Sequence, residues 1–274
     1  MTKQDYDAII VGSGPNGLAA AITMQHAGLS VLLIEAKETI GGGLRTKELT
    51  LPGFKHDVCS AIHPMAAGSP FFQQLPLEQH GLEYIYPAIP AAHPFDGGSA
   101  GILTRSLEET AQLLGKDEEA YIRLIQPLIG DWPALAPEML GPLRFPKHPI
   151  ALAKFGLKAL RSASFLSKRF VTEKAKGIWA GMAAHSMQPL SNTASSAIAL
   201  VLLVIGHLRG WPLPKGGSQS IANALSSYFV SLGGIIQTGF DVQNIDQLPA
   251  SHAVLLDVAP EQLVKIAGQK FSSL

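Results

Sequence analysis

The chain has 274 residues, 47% of them hydrophobic and 15% charged, with 21 basic side chains balanced by 21 acidic ones. Balanced charge gives no argument for nucleic-acid binding, which calls for a basic excess, and a single cysteine, Cys59, excludes a disulfide framework and a cysteine-rich metal site. The length suits one large domain or two modest ones, and so apolar a composition implies much buried surface or an apolar ligand.

The first 45 or so residues organise the rest. Ala8 to Val11 reads as a buried strand that breaks into Gly12-Ser-Gly14-Pro15-Asn16-Gly17. An alanine-rich helical stretch, Leu18 to His26, follows and Gly28 closes it. A second apolar run, Val31 to Ile34, ends on Glu35. In such a strand–turn–helix–strand unit Gly12 permits the tight turn and Gly14 a close backbone approach to a pyrophosphate. Gly17 permits close packing of helix on strands. The helix N-terminus, behind Pro15 and Asn16, offers unpaired N–H groups and partial positive charge to phosphates. Glu35, eighteen positions past Gly17, stands where a carboxylate takes the ribose hydroxyls of an adenosine. Dinucleotide binding is the expectation.

Met1-Thr-Lys-Gln-Asp-Tyr-Asp lacks the charged start of a secretory signal, and the apolar stretch behind it is the first strand. The segment between Lys176 and Arg209 lacks Lys, Arg, Asp and Glu. Its continuous apolar part, 197–206, is about half of the ~20 residues that a spanning helix needs. A soluble, cytoplasmic protein is expected, and peripheral contact with a membrane stays open.

Six residues beyond Glu35 comes Gly41-Gly42-Gly43, followed by Arg45. A minimal nicotinamide-binding unit does not need this second glycine cluster. A loop passing close to an FAD pyrophosphate does, with Arg45 placed to neutralise phosphate charge. Together with Gly12–Gly17 and Glu35 the doublet resembles the glycine-doublet flavoproteins, which include amine oxidases and phytoene desaturases. The later stretch Gly210-Trp-Pro-Leu-Pro-Lys-Gly216-Gly217-Ser-Gln-Ser is most similar to the phytoene desaturase-like branch, with its carotenoid desaturases and isomerases and retinol saturase-like proteins. Amine oxidases usually carry Arg directly after the doublet, where this chain has Gly43.

The resemblance implies a Rossmann-like α/β FAD-binding domain with a parallel sheet, plus an inserted α+β substrate domain, both incomplete. The FAD-binding domain is expected over 1–70 and again over 214–274, with the substrate domain over 71–213. It implies FAD as cofactor, a backbone contact from Val242 to the adenine, and Asp57 and His63 on the substrate side. Leu51 to Phe72 otherwise reads as an irregular loop. His56, Asp57 and His63 lack a second cluster that would support a metal, and no metal is expected.

Further along, His80 to Pro87 and Ala100 to Leu103 suggest short strands, punctuated by Pro87, Pro90, Pro94 and Gly97-Gly98. Ser106 and Glu109 fit a capping box opening a helix that ends at Gly115. A second helix leads from Lys116 to Ile129. Ile150 to Phe170 reads as helical and basic on one side (Lys154, Lys158, Arg161, Lys168, Arg169), either a solvated face or one that docks on anionic lipid. Ala194 to Gly206 is apolar on every face, a buried helix or a lining for an apolar ligand. Ser218 or Ser220 is placed to cap a helix over 221–232, stopped by Gly233-Gly234. Strands are expected at 235–239, 242–245 and 253–260.

Members of the branch run on into a glycine-rich C-terminal segment that covers the flavin. This sequence ends at Leu274 without one, so a fragment, a truncated frame or half of a split enzyme is expected, with a C-terminal partner chain or an oligomer as its complement. The function implied is a FAD-dependent oxidoreductase of desaturase, saturase or isomerase type, exchanging hydride with an apolar isoprenoid- or polyene-like small molecule. A non-catalytic or partner-requiring FAD-binding fragment is the first alternative, and an amine oxidase-like flavoenzyme the second. The residues form no Ser/His/Asp or paired-carboxylate constellation, and no catalytic side chain is singled out.

Overall fold

The computed structural model of the chain describes residues 5–142 and 144–271. Met1–Gln4, part of the stretch read for a secretory signal, and Ser272–Leu274, at the end of the chain, lie outside the described residues. The chain divides into two compact units. One takes the chain up to residue 61, residues 76–84 and the chain from 213 onward; the other takes 62–75 and 85–212. Against the boundaries expected at 70/71 and 213/214, the first break falls earlier and residues 76–84 return to the first unit. The return has a local cause: His80 Nδ1 lies 2.8 Å from Ser227 Oγ, and its ring packs against Tyr228.

In the first unit the strands β1 (Tyr6–Val11) and β2 (Val31–Ile34) flank helix α1 (Pro15–His26) in sequence. A small antiparallel pair follows, β3 (Thr46–Glu48) with β4 (Lys55–Asp57). The returning chain adds α2 (Gln219–Ser231), β5 (Ile235–Gln237), β6 (Ser251–Leu256) and α3 (Pro260–Ala267). The sheet order is β6-β1-β2-β5, all parallel. This is a Rossmann-like α/β unit. Its inner strands read as continuous apolar runs because a parallel sheet is covered on both faces. Ile9, Val11, Leu32 and Ile34 form one face with Val242 and Ile266. By alternation Ile10 and Leu33 point to the other, and both are fully buried. Helix α1 packs on β1, β2 and α2.

Several local expectations are corrected. Helix α1 starts at Pro15 rather than Leu18, since proline suits the first helical position, where an N–H has no intrahelical partner. The stretch 51–72 holds β4 and two short helices, Pro64–Gly68 and Pro70–Gln74, in place of an irregular loop. Residues 242–245 form no strand; Val242 lies in a loop and is buried. Neither serine caps α2 with its side chain in the expected way: Ser218 Oγ donates to the Ser60 carbonyl at 2.6 Å and Ser220 Oγ to the Gly217 carbonyl at 2.6 Å.

The second unit pairs two antiparallel strands, Ala91–Pro94 and Ala100–Leu103, with a helical core. Ser106 Oγ accepts the Glu109 N–H at 3.1 Å and opens the helix Leu107–Leu113. The long helix Glu118–Met139 runs ten residues past its expected end at Ile129, through Pro127, Pro133 and Pro137. Proline normally breaks a helix by removing a hydrogen bond and crowding the preceding turn. Here Pro127 and Pro133 sit on the exposed side, where water can serve the freed carbonyls. Leu124, Leu128, Trp132 and Leu135 hold the opposite face in the core. The basic stretch breaks into two helices, Pro149–Ala159 and Ala163–Ser167, because Ser162 caps the second by accepting the Phe165 N–H at 3.2 Å. The helix Ser196–Arg209 is buried without interruption from Ala199 to His207, as its apolar sequence indicates. Among the described residues no helix is long and apolar enough to cross a membrane.

Candidate functional site: a dinucleotide cradle

The parallel register determines what the first unit can bind. Val11 pairs with Ile34 on one side and with Leu256 on the other. The residues that directly follow, Gly12, Glu35 and Asp257, therefore emerge together at the carboxyl edge of the sheet. Ligands of open α/β sheets bind at that edge. Here it opens into a cavity of about 530 Å³, lined by both glycine loops, Glu35, Lys37, Arg45 and the loop around Val242. That volume falls within the ~300–1,000 Å³ of small-molecule and cofactor sites.

The glycines are required by the protein as well as by a ligand. Gly12 has φ +103°, and a Cβ there would stand 2.2 Å from the Asp257 carbonyl oxygen. A Cβ on Gly17 would stand 2.1 Å from the Gly12 carbonyl oxygen. These two positions let β1, α1 and the end of β6 close on one another. The Asp257 carboxylate accepts the Gly17 N–H at 2.7 Å, so an acid from the far end of the chain serves the first turn of α1.

Glu35 is nearly buried and holds the turn while lining the cavity. Its Oε2 accepts from the Ser13 N–H at 3.1 Å and from the Ser13 hydroxyl, and its Oε1 accepts the Lys37 N–H at 3.0 Å. Ser13 Oγ in turn accepts the Gly41 N–H at 3.1 Å. Ser13 thus ties Glu35 to the second glycine cluster. That cluster seats on the first: a Cβ on Gly42 would stand 3.0 Å from Gly14 Cα. Arg45 Nε donates to the Gly42 carbonyl at 2.8 Å, which anchors the guanidinium at the cavity wall.

Gly12, Gly14, Pro15, Asn16, Glu35, Gly42, Gly43, Arg45 and Val242 all line this cavity. Gly17 and Gly41 support it from behind. Asp57 and His63 do not line it. One Asp57 oxygen accepts the Thr46 hydroxyl and, at 2.8 Å, the Ser218 N–H, an anchor for the start of α2. The His63 N–H donates to the Pro212 carbonyl at 3.0 Å, within the second unit. Among the described residues no group of three or more His, Cys, Asp or Glu could hold a metal ion.

Sequence reasoning missed Ser13, Asp257, Gln262 and Lys265. The last two come from α3, which starts at Pro260 just beyond β6 and turns them to the cavity. A signal was present: strand, acid, then Pro260 opening a helix repeats the strand–turn–helix order of β1 and α1.

The residues fit a dinucleotide. Two close glycine turns leave room for a pyrophosphate, and Arg45, Lys37 and Lys265 supply positive charge around it. Glu35 provides a ribose acceptor, and Phe240 with Val242 an apolar wall. The fold and the cradle define an FAD/NAD(P)-type dinucleotide-binding unit.

Comparison with known proteins agrees with that class. Residues 10–75 match the NAD(P)-binding Rossmann-like domain family. The chain is 26% identical to pyridine nucleotide-disulfide oxidoreductase domain-containing protein 2 of Mus musculus, over 86% of this chain and 48% of that protein. It is 24% identical to one of the subunits of limonene dehydrogenase from Castellaniella defragrans, over 93% of this chain and 48% of that protein. The chain therefore spans about half the length of these curated relatives. Among solved structures, a putrescine oxidase superposes with TM-score 0.59 at 20% identity, covering 95% of this chain and 59% of that one. A fatty acid isomerase from P. acnes superposes with TM-score 0.57 at 14% identity, covering 97% and 62%. At such identities these structures speak for the fold.

Proposed function

We propose that the chain is the FAD-binding portion of a FAD-dependent oxidoreductase that exchanges hydride with an apolar, isoprenoid- or polyene-like substrate. The observation that carries FAD over a nicotinamide cofactor is the seating of Gly41–Gly43 on Gly12–Gly14, with Arg45 drawn to the same wall. A nicotinamide site needs only the first loop. When bound, the flavin supplies the electron sink for the redox step. When FAD is bound, Glu35 would orient the ribose, the glycine turns with the start of α1 and Arg45 would hold the phosphates, and Val242 would contact the adenine. Asp57 is assigned to bracing α2, and His63 is kept as the substrate-side candidate. The name of one relative, limonene dehydrogenase, supports an apolar hydrocarbon as substrate. The test is flavin absorbance of the purified chain, then bleaching on anaerobic addition of terpenes, polyenes or amines. A colourless protein that takes up no added FAD would sink the cofactor assignment. Bleaching by amines and not by terpenes or polyenes would move the substrate to the amine oxidase side.

A second reading has its own support: the related limonene dehydrogenase chain is named as one part of a multi-chain enzyme, and this chain spans about half the length of its relatives. On that reading FAD is retained but turnover needs a further polypeptide. Recovery of turnover on adding the C-terminal half of a relative supports it, and turnover by the chain alone overturns it.

A further inference from the structure

We propose that the face formed by the helices Pro149–Ala159 and Ala163–Ser167 docks on an anionic phospholipid surface, with Lys154, Lys158, Arg161 and Arg169 receiving headgroup phosphates. This proposal is independent of the cofactor and substrate assignments.

Charge along the chain is strongly segregated. Residues 144–176 hold 9 of the 21 basic residues and one of the 21 acids, Glu173, which leaves 12 basic against 20 acidic elsewhere. A chain of zero net charge thus carries +8 in one short stretch and −8 in the remainder. Such a molecule turns one face toward a negative surface and the rest away from it.

The fold concentrates part of that charge further. Lys154, Lys158, Arg161 and Arg169 ring a cavity of about 350 Å³ with Leu157 and a lone carboxylate, Asp131. Among the described residues none of these four cations pairs with a carboxylate within 4.0 Å. Lys158 titrates below the ordinary lysine range, from burial first and then from the Arg169 charge. An ion-paired surface would spread such charges; here they converge on one recess.

Apolar side chains interleave with them. Ile150 is 72% exposed, Leu157 71% and Leu160 64%. Ile150, Lys154 and Leu157 share one face of the helix Pro149–Ala159 by their spacing, and Arg161 follows just past its end. Phe165 projects beside them, with the Arg161 guanidinium 4.7 Å from its ring centre. Exposed Leu and Ile favour a lipid interface over nucleic acid, because the acyl boundary buries them while the long cationic stems reach outward to the headgroups.

The experiment is co-sedimentation of the full chain with vesicles of phosphatidylcholine alone or of phosphatidylcholine with phosphatidylserine. Binding is expected only with phosphatidylserine and weakens as salt rises. The double variant K154Q/R161Q lowers partitioning roughly thirtyfold, about fivefold per cation. Leu157→Ser lowers it at unchanged charge, and the control K47Q/K55Q, on the first unit, leaves it unaltered. K168Q/R169Q substitutes if the first pair disturbs folding. Equal binding to neutral vesicles, an undiminished K154Q/R161Q, competition by inorganic phosphate alone at millimolar level, or preference for duplex DNA or an acidic polypeptide overturns the proposal.

Discussion

The two units hold themselves together by different means. The first closes through polar groups and bare backbone: Ser13 with Glu35 and Gly41, Asp257 with the Gly17 N–H, Asp57 with Thr46 and Ser218. The second closes through volume, with Leu124, Trp179, Leu200 and Leu203 fully or almost fully buried in a helical core. Its few buried polar anchors, such as Asp117 and the Tyr121–His207 pair, stand among apolar neighbours. A cradle for phosphates must keep backbone close and side chains absent, so identity at single positions decides it. A helical core tolerates exchange of shape but not loss of mass.

Substitutions sharpen this contrast. The largest effect is expected at Gly12→Ala, where a Cβ meets the Asp257 carbonyl at 2.2 Å on a backbone of φ +103°. Bound flavin should be lost and stability should fall by ~4 kcal/mol or more, read by absorbance and by denaturant unfolding. A Gly12→Ala protein that retains flavin and its unfolding midpoint would break the distinction between the units. Leu203→Ala, at a fully buried position, should cost ~2–5 kcal/mol through the cavity it leaves. Under native conditions its affinity for added FAD should be unchanged.

Asp117→Ala comes next. Its carboxylate accepts from the Val171 and Thr172 N–H groups and from the Thr172 hydroxyl, 2.6–3.1 Å away. The loss should be ~2 kcal/mol at neutral pH. Burial pulls the Asp117 pKa upward, but the hydrogen bonds from Thr172 and Val171 outweigh it, and the group titrates below the usual carboxylate range. A depressed carboxylate contributes fully above its unfolded value of ~3.9 and loses that contribution as pH falls through the folded value. Parent and variant unfolding curves should therefore converge in acid.

Glu35→Gln should weaken FAD retention roughly tenfold, ~1.4 kcal/mol, measured by equilibrium dialysis. The smallest effect is expected for Tyr121→Phe. The Tyr121 hydroxyl lies 2.8 Å from His207 Nε2, while Nδ1 faces the Arg105 carbonyl at 3.2 Å. A neutral ring donates from Nδ1 and accepts from Tyr121, so removing the hydroxyl should cost ~1 kcal/mol. Burial holds His207 below its ordinary range. Stability from the neutral ring is thus complete above ~6.5 and declines as pH falls through the folded value.

What was legible was local. Gly12, Gly14, Gly17 and Glu35 could be read because turn, helix start and acid lie within thirty residues of one another and each has a task that few residue types perform. The buried helix around Ala199–Ile205 was legible from its apolar run alone. The passage of Glu118–Met139 through three prolines was not, because solvent on one side and core packing on the other decide it. Nor was the loop at Val242, where β-branched residues in sequence suggest a strand but no neighbour is placed to pair with them.

By itself the sequence determined that the chain carries a dinucleotide-type turn, a second glycine loop and an acid at the end of the second strand, since each follows from backbone sterics and nearest neighbours. The tertiary structure alone decided that Asp257, Gln262 and Lys265 belong to the same cavity. Parallel strands require long crossovers, so the residue that caps α1 arrives 240 positions later, and only the register of β6 against β1 brings it there.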